Sequence, residues 1–569
     1  MRPQKSIWRS QCLLVVLIAA LAVSGSAQSS QLGSVKFPTS GSEKAQASFL
    51  RGLAALHSFW YEEALEAFRE STKIEPDFMM GYWGEAMAHN HPLWSEQDTV
   101  AARQVIAKIK ETPKLTPRER AYLGAVKLLY GEGDKRARDF AYSAAMEKVY
   151  HDHANDLDAA AFYSLSLLGM VRMDEKSYRL QAKAGAIALE VYQQNPQHPG
   201  AAHYIIHAFD DPDHAILALP AARRYATIAP EAHHARHMPS HIFLQLGMWT
   251  EAAASNESSW QTSDAWMKRK NLSPNVRDYH SLHWLLYVYL QQGRYRKADE
   301  LLTLMKQTMS ESTYDNKLRP NYYENNYANM AAAFVVETER WELATKLFPA
   351  SVPGEPVAPE LAAIGSHTGH SAPQTSSSSS SSAPSSDGPM TVRSSNRSQT
   401  LPIFVRGLAG AVSGSAEAEK SLMALKSMSG LEGPGVGMLG IREMEIAALR
   451  AATKQDYESA ISSMRFATKL EEAMGPPSGP PGIIKPAHEL YGEILLLAGK
   501  PGEAAEQFRI ALLRQPNRAR SLLGSARAAA KSGDATTAAT AYAKLLAQWQ
   551  QADEGLPELR EARDYLKKR

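Results

Sequence analysis

The 569-residue chain contains one cysteine, Cys12, and almost no strand-like alternation of apolar and polar residues. It also lacks an excess of either charge, with 62 basic residues against 60 acidic ones. A single cysteine excludes a disulfide framework, and its expected loss with the N-terminal leader excludes a thiol nucleophile and a thiolate metal site, so any metal must then be held by His, Asp, Glu or Met. The balanced charge gives no electrostatic footprint for nucleic acid or an anionic membrane. Long apolar runs are missing too, apart from Leu13 to Val23. That run is too short to span a bilayer as a helix. It follows Arg2, Lys5 and Arg9 and precedes the small residues Ser24 to Ala27, which is the pattern of a secretory signal peptide. Residues 1–27 are therefore expected to be removed, taking Cys12 with them, and the product to be exported to a periplasm or the medium with no membrane span.

What the chain does have is an internal period. Gly492, Ala504, Phe508, Ala511 and Pro516 stand at the offsets of a 34-residue helix-turn-helix unit, and Ala526, Ala538, Tyr542 and Leu545 continue it in register. The same register appears near the start as Gly52, Ala64, Phe68 and Pro76, followed by Ala86. Small residues let paired helices approach, the aromatic fills the space between units and the proline stops the second helix. These are tetratricopeptide repeats. In the middle, repeats start near Pro199, with Ala218 and Pro230; near His233, with Gly247 and Ala252; and near Tyr279, with Gly293 and Ala298. The expected fold is an all-α, right-handed superhelical solenoid of tetratricopeptide-like helix pairs. A break from Val352 to Pro402, holding the run Ser376 to Ser382, reads as a disordered linker. It divides an N-terminal solenoid, 28–350, from a C-terminal helical array, 403–569, able to fold independently. The proline-rich loop Gly475 to Gly482 reads as a simple separator of helices.

Ten of the 18 histidines fall between His198 and His283. In the repeat register His203 and His207 take the fifth and ninth positions of their unit, and His237 and His241 take the same two positions of the next. His280 and His283 take the second and fifth positions of the unit after that. Residues four apart share one helix face. The first helices of such units line the concave groove, so four imidazoles are expected to converge there on a single zinc or copper ion, with His280 and His283 beside them. Asp210 and Asp211 are candidates to orient the rings or to act as ligands. A metal-free reading stands beside this one, in which the same polar groove binds a peptide or protein segment, with Trp83 and Met87 supplying an apolar stretch of it. His214, His233 and His234 are placed in or beside turns, without a role.

The spacing of His203 and His207 is that of a zinc-protease helix, but Tyr204 stands where the general-base glutamate belongs. The residues thus favour a binding protein over an enzyme, with metal-assisted hydrolysis through an aspartate as the remaining alternative. Gly435, Gly437 and Gly440 follow Pro434 with no strand before them, so they read as a loop before a helix and not as a nucleotide site. His151 to Asp158, with its three aspartates, reads as a turn and helix cap.

Three segments, His203 to Asp213, His237 to Trp249 and His280 to Trp284, give the chain a resemblance to exported bacterial tetratricopeptide-repeat proteins, and through its middle to the tetratricopeptide repeat protein 38 family. The resemblance covers Leu50 to roughly Phe348 and implies a helical scaffold. It implies no settled activity, and the serine-rich segment departs from it.

Overall fold

A computed structural model describes residues 31–171, 177–316, 318–349, 391–428, 436–480 and 482–568, without side chains at 391–399 and 436. The expected signal peptide, the serine run and Gly435 lie outside the described residues. Elsewhere the chain is a succession of helix pairs, and the described strands are limited to one hairpin, Asn90–His91 with Glu96–Gln97. The all-α solenoid expected from the period is what the chain forms. None of the described helices is long and apolar enough to cross a membrane.

The period has a steric cause. Phe68, on the helix Tyr61–Ile74, is fully buried with its ring over Gly52 of its own unit and Gly84 of the following first helix. A methyl group at Gly52 would stand 2.9 Å from that ring, and one at Gly84 closer still. Phe508 repeats the arrangement between Gly492 and Gly524, with 2.7 Å at Gly492. The repeat alanines Ala64, Ala86, Ala504, Ala526 and Ala538 are likewise buried without remaining exposure. One aromatic ring therefore locks three consecutive helices, and any larger residue at either glycine would force them apart. The second helices end at Ile74 and Arg514, two residues before Pro76 and Pro516, as the missing proline N–H requires.

The turn between paired helices needs one left-handed residue. Gly247 and Gly293 supply it, with φ of +64° and +68°. In the first repeat the same position is Phe59, with φ of +53°, a conformation that costs a residue with a side chain about 1–2 kcal/mol.

Three expectations about domain organisation change. First, the helix Thr391–Ser413 begins eleven residues before the expected linker boundary at Pro402. Leu401, Phe404, Val405 and Leu408 are spaced as one buried helix face, and Pro402 forfeits only its own hydrogen bond. Residues 350–390 lie outside the described chain. Second, Gly437 and Gly440 lie within the helix Val436–Thr453 instead of a loop. Third, the C-terminal array is not separate. The turn at Gly247 touches Pro516 and Asn517, Trp249 donates its indole N–H to Asn517 O at 2.9 Å, and Trp549 donates to Gln291 O at 3.0 Å. At the centre of this contact Arg518 is wholly buried. It binds Glu489 through two nitrogens at 2.8 and 3.1 Å, pairs with Glu337 at 2.6 Å and donates to Tyr287 Oη at 3.0 Å. Sequence periodicity reports neighbours along the solenoid, and contacts some 200 residues apart leave no trace in it.

Arg518→Met would leave Glu337 buried without its cation and Glu489 with Lys485 alone, 3.2 Å away. It is expected to destabilise the chain by about 3–5 kcal/mol, read as a lowered urea midpoint. An unchanged midpoint would show that this ion network does not hold the C-terminal helices.

Candidate metal centre

The histidine-bearing first helices are Pro199–Ala208, the broken pair His233–His237 and Pro239–Gln245, and Tyr279–Gln291. Pro239, which cannot donate to the turn before it, marks the break. These helices bring together all four predicted fifth- and ninth-position histidines, but as two groups and not one. His203, His207 and His234 form the first, and His237, His241 and His280 the second; within each, one nitrogen per ring lies within 4.8 Å of the others. The arrangement follows the repeat. Each group takes the fifth and ninth residues of one unit and the second residue of the next, so His234 is the counterpart of His280. That signal was present in the register: His234 stands beside a turn, as the second residue of the helix His233–His237, and its ring lies in the first group. His283, at a fifth position with Tyr287 at the ninth, belongs to neither group.

Proton positions separate the groups. A neutral imidazole carries one N–H and one lone pair. His237 Nδ1 stands 2.6 Å from Asn256 Oδ1, and the Asn256 amide donates to Ala252 O at 2.9 Å, so the ring must be the donor. His241 Nδ1 stands 2.6 Å from Asp210 Oδ2, a carboxylate that can only accept. Both rings therefore carry their proton on Nδ1. Their Nε2 lone pairs face each other 3.1 Å apart, with no proton to share. Two acceptors at that separation repel unless a cation or an added proton lies between them. Tetrahedral bonds of about 2.0–2.1 Å would place two zinc-bound nitrogens about 3.3 Å apart, close to the spacing seen.

In the first group His203 Nδ1 donates to His57 O at 2.7 Å, and its Nε2 lone pair faces His207 Nε2 at 3.1 Å. His207 can answer with an N–H, so this pair closes by itself. His234 Nε2, however, is buried without a hydrogen-bond partner. A third cluster, His57, Asp158 and His198, was not anticipated from the sequence. Here every proton is placed. Both rings donate from Nε2 to Asp158 Oδ1, at 2.9 and 3.3 Å, while Tyr204 Oη donates to His57 Nδ1 and the Ala201 amide to His198 Nδ1. Burial alone would raise the Asp158 carboxyl, but the hydrogen bonds from His198 and His57 outweigh it and hold it well below the usual carboxylate range. The four ring nitrogens of this cluster are all partnered, while Asp158 Oδ2 is buried without a hydrogen-bond partner. Asp156 caps the helix Leu157–Gly169, as the sequence suggested for that stretch.

The groove is largely covered. His203 and His237 are fully buried and His241 is 8% exposed, while His207 and His280 are half-buried. Phe59 and Trp94 cover one side, with the Phe59 ring 4.3 Å from His203 and the Trp94 ring 6.0 Å from His234. Trp284 covers the other, 4.1 Å from His241. The loop expected merely to separate helices closes over it, since Gln245 donates to Pro477 O at 2.9 Å and Gly479 packs on Trp284. Trp83 and Met87 are not groove residues either. Trp83 is 1% exposed, stacked by Phe37 and edge-on to Phe162, and Met87 is buried beside it. Their helix is enclosed by neighbours on all faces, so fifth and ninth positions there point into the core. Asp210 accepts from His241 and Gln245, whereas Asp211 accepts from His214 Nδ1 at 2.8 Å and from the turn amides of Asp213 and His214. Asp211 thus caps a turn and takes no part in the centre.

No protein-family model matches the chain, and no curated protein matches it. The resemblance to the protein 38 family therefore rests on the three histidine-bearing segments alone. Among solved structures the chain is similar to the tetratricopeptide domain of P58(IPK), at 13% identity and a TM-score of 0.21, covering 92% of this chain and 98% of that one. It is similar to yeast Tom70 at 10% identity and a TM-score of 0.26, covering 92% and 89%. The APC/C hetero-tetramer Cut9-Hcn1 gives 12% identity and a TM-score of 0.25, covering 93% and 96%.

Burial, reinforced by neighbouring rings, pushes His203 down to about 3 and His237 to about 4, and burial alone takes His283 to about 4. His207, His234 and His280 are also pushed well down by burial and by the other imidazoles. In the unfolded chain the same rings titrate near 6.5. Between those values the unfolded state binds more protons, so this contribution to stability is complete above about pH 6.5 and is lost as the pH falls towards 4. Chelator-treated protein should show a urea midpoint that declines through that window, by about 1.4 kcal/mol per ring and pH unit at the steepest. A flat profile would mean that the rings are not held neutral.

Proposed function

We propose that the chain is a helical-repeat protein that holds a transition metal, zinc or copper, in its interior through neutral imidazoles. His237, His241 and His280 are the primary ligands. The observation that carries this reading is the facing pair of Nε2 lone pairs on His237 and His241, each fixed by an Nδ1–H committed elsewhere. Such a pair is stabilised by a Lewis acid, or by an added proton, between the two nitrogens. The donor set fits, since imidazole nitrogen suits zinc and copper, whereas magnesium and calcium demand oxygen. Asp210 and Asn256 act as the outer partners that fix tautomer and ring orientation, as they do around bound metals generally. An exported location agrees with a metal set built without thiolates, and the basic, apolar and small-residue succession at residues 1–27 supports it.

A scaffold role for a peptide or protein partner is compatible with this centre. Stacked helix pairs present extended surfaces, and such a partner would use faces other than the buried His203, His237, Trp83 and Met87. The hydrolytic alternative gains nothing from the geometry, because Asp210 commits both oxygens to His241 and Gln245 and Tyr204 commits its hydroxyl to His57.

Elemental analysis of the chain, purified without a metal-binding tag, should find zinc or copper at one or more per chain. The double variant His237→Asn, His241→Asn should lose it, while His151→Asn on the exposed surface should not. Added metal at 100-fold its Kd should stabilise the wild type by about 2.7 kcal/mol. No metal in the wild type, with melting unchanged on adding zinc or copper, would sink the reading.

A further inference from the structure

The first histidine group has the same build as the second. Each takes the fifth and ninth residues of one unit and the second residue of the next, giving His203, His207 and His234 in one and His237, His241 and His280 in the other. The series has two members and ends on both sides. Before it, the second position of the unit at Pro199 is Gly200, where a side chain would strike the His57 ring; after it, the ninth position of the unit at Tyr279 is Tyr287. We propose that His203, His207 and His234 hold a second transition-metal ion beside the first, so that the chain carries an adjacent pair. The second site rests on the metal-binding reading above and goes beyond it in ligand set and ion number.

Two observations besides the clustering point to an ion there. His234 is 8% exposed, and its Nε2 is buried with no hydrogen-bond partner, in a ring that stands 5.1 Å from His203 and 6.5 Å from His207. A buried nitrogen without a partner is destabilising until one is supplied. Each group also has one aromatic ring that touches all three of its imidazoles. Trp284 lies 5.0, 4.1 and 5.6 Å from His237, His241 and His280. Phe59 lies 4.3, 5.8 and 5.7 Å from His203, His207 and His234. It does so with φ of +53°, at the turn position that Gly247 and Gly293 fill in later repeats. A glycine would relax that turn and uncover the three rings, and backbone strain retained in this way marks a functional position.

The two sites fill in order. In the second group the lone pairs of His237 and His241 already face each other. In the first, His207 donates from Nε2 to His203 Nε2, so an ion must displace that hydrogen bond while the His207 proton moves to Nδ1. One neutral tautomer replaces the other and no proton is gained or lost. Giving up one such bond makes the second ion on the order of tenfold weaker in affinity. The sites are also neighbours. The rings of His207 and His241 lie 5.8 Å apart, as do those of His234 and His237, closer than the 6.5 Å between His207 and His234 within one group.

The test uses the full chain, stripped by a chelator and titrated with a Cu(II) salt, which imidazole sets suited to zinc bind at least as tightly. Two coppers per chain are expected, in two phases on the order of tenfold apart in affinity. His234→Asn should abolish the weaker phase and keep the tighter, and His280→Asn should do the reverse. At one copper per chain the EPR spectrum should be that of an isolated ion; at two it should broaden or vanish, because adjacent spins couple. A stoichiometry of one would overturn the second site and leave the first intact. So would a second copper that keeps an isolated-ion signal or survives His234→Asn. Binding no metal would overturn both. If far-ultraviolet circular dichroism shows either variant unfolded, the wild-type stoichiometry and spin coupling decide.

Discussion

The fit of one aromatic ring between two glycines is the constraint from which the rest of this molecule follows. Phe68 and Phe508 each sit against a glycine of their own unit and a glycine of the next, with no room for even a methyl group at either. Close packing of that kind fixes both the spacing of helices and the rotation of each about its axis. Once the rotation is fixed, residues at equal repeat positions face equal environments. The two histidine groups follow the same repetition: fifth, ninth and second positions meet at one junction between units, and meet again at the next.

Burial then turns a favourable geometry into a chemical demand. On an open groove, imidazoles would exchange protons with water and a lone pair facing a lone pair would be relieved by solvent. Here Phe59, Trp94, Trp284 and the loop through Pro477 and Gly479 keep solvent away from the rings. Asp210 and Asn256 hold the Nδ1 protons. The same accounting shows why clustered histidines are not evidence enough. His57, His198 and Asp158 are as close and as buried, yet each of their ring nitrogens already has a complementary partner, so no lone pair there faces another.

The cover over the centre comes from far along the chain. The loop at 475–480 and the Arg518 network bind the C-terminal helices to the units that carry His237, His241 and His280. The C-terminal array thus helps to shape the centre instead of standing apart beyond a linker. This is also why the residues named for an open groove are interior: solenoid geometry exposes the first helices only where nothing folds back over them.

Local repetition was legible in the sequence because it is written in nearest-neighbour terms: small residues, an aromatic and a proline at fixed offsets determine the helix pairs, the period and the shared face of His203 and His207 and of His237 and His241. Even the place of His234 was readable, since it shares the second position with His280. Tertiary structure alone decided that the four expected histidines divide into two groups of three, that Asp210 and not Asp211 supports them, that Trp83 and Met87 lie in the core, and that the site is largely covered. Those outcomes depend on which distant surfaces meet and on which ring nitrogen meets an acceptor. Hydrophobic periodicity is blind to both, because a buried contact between residues 200 apart imposes no spacing on the chain.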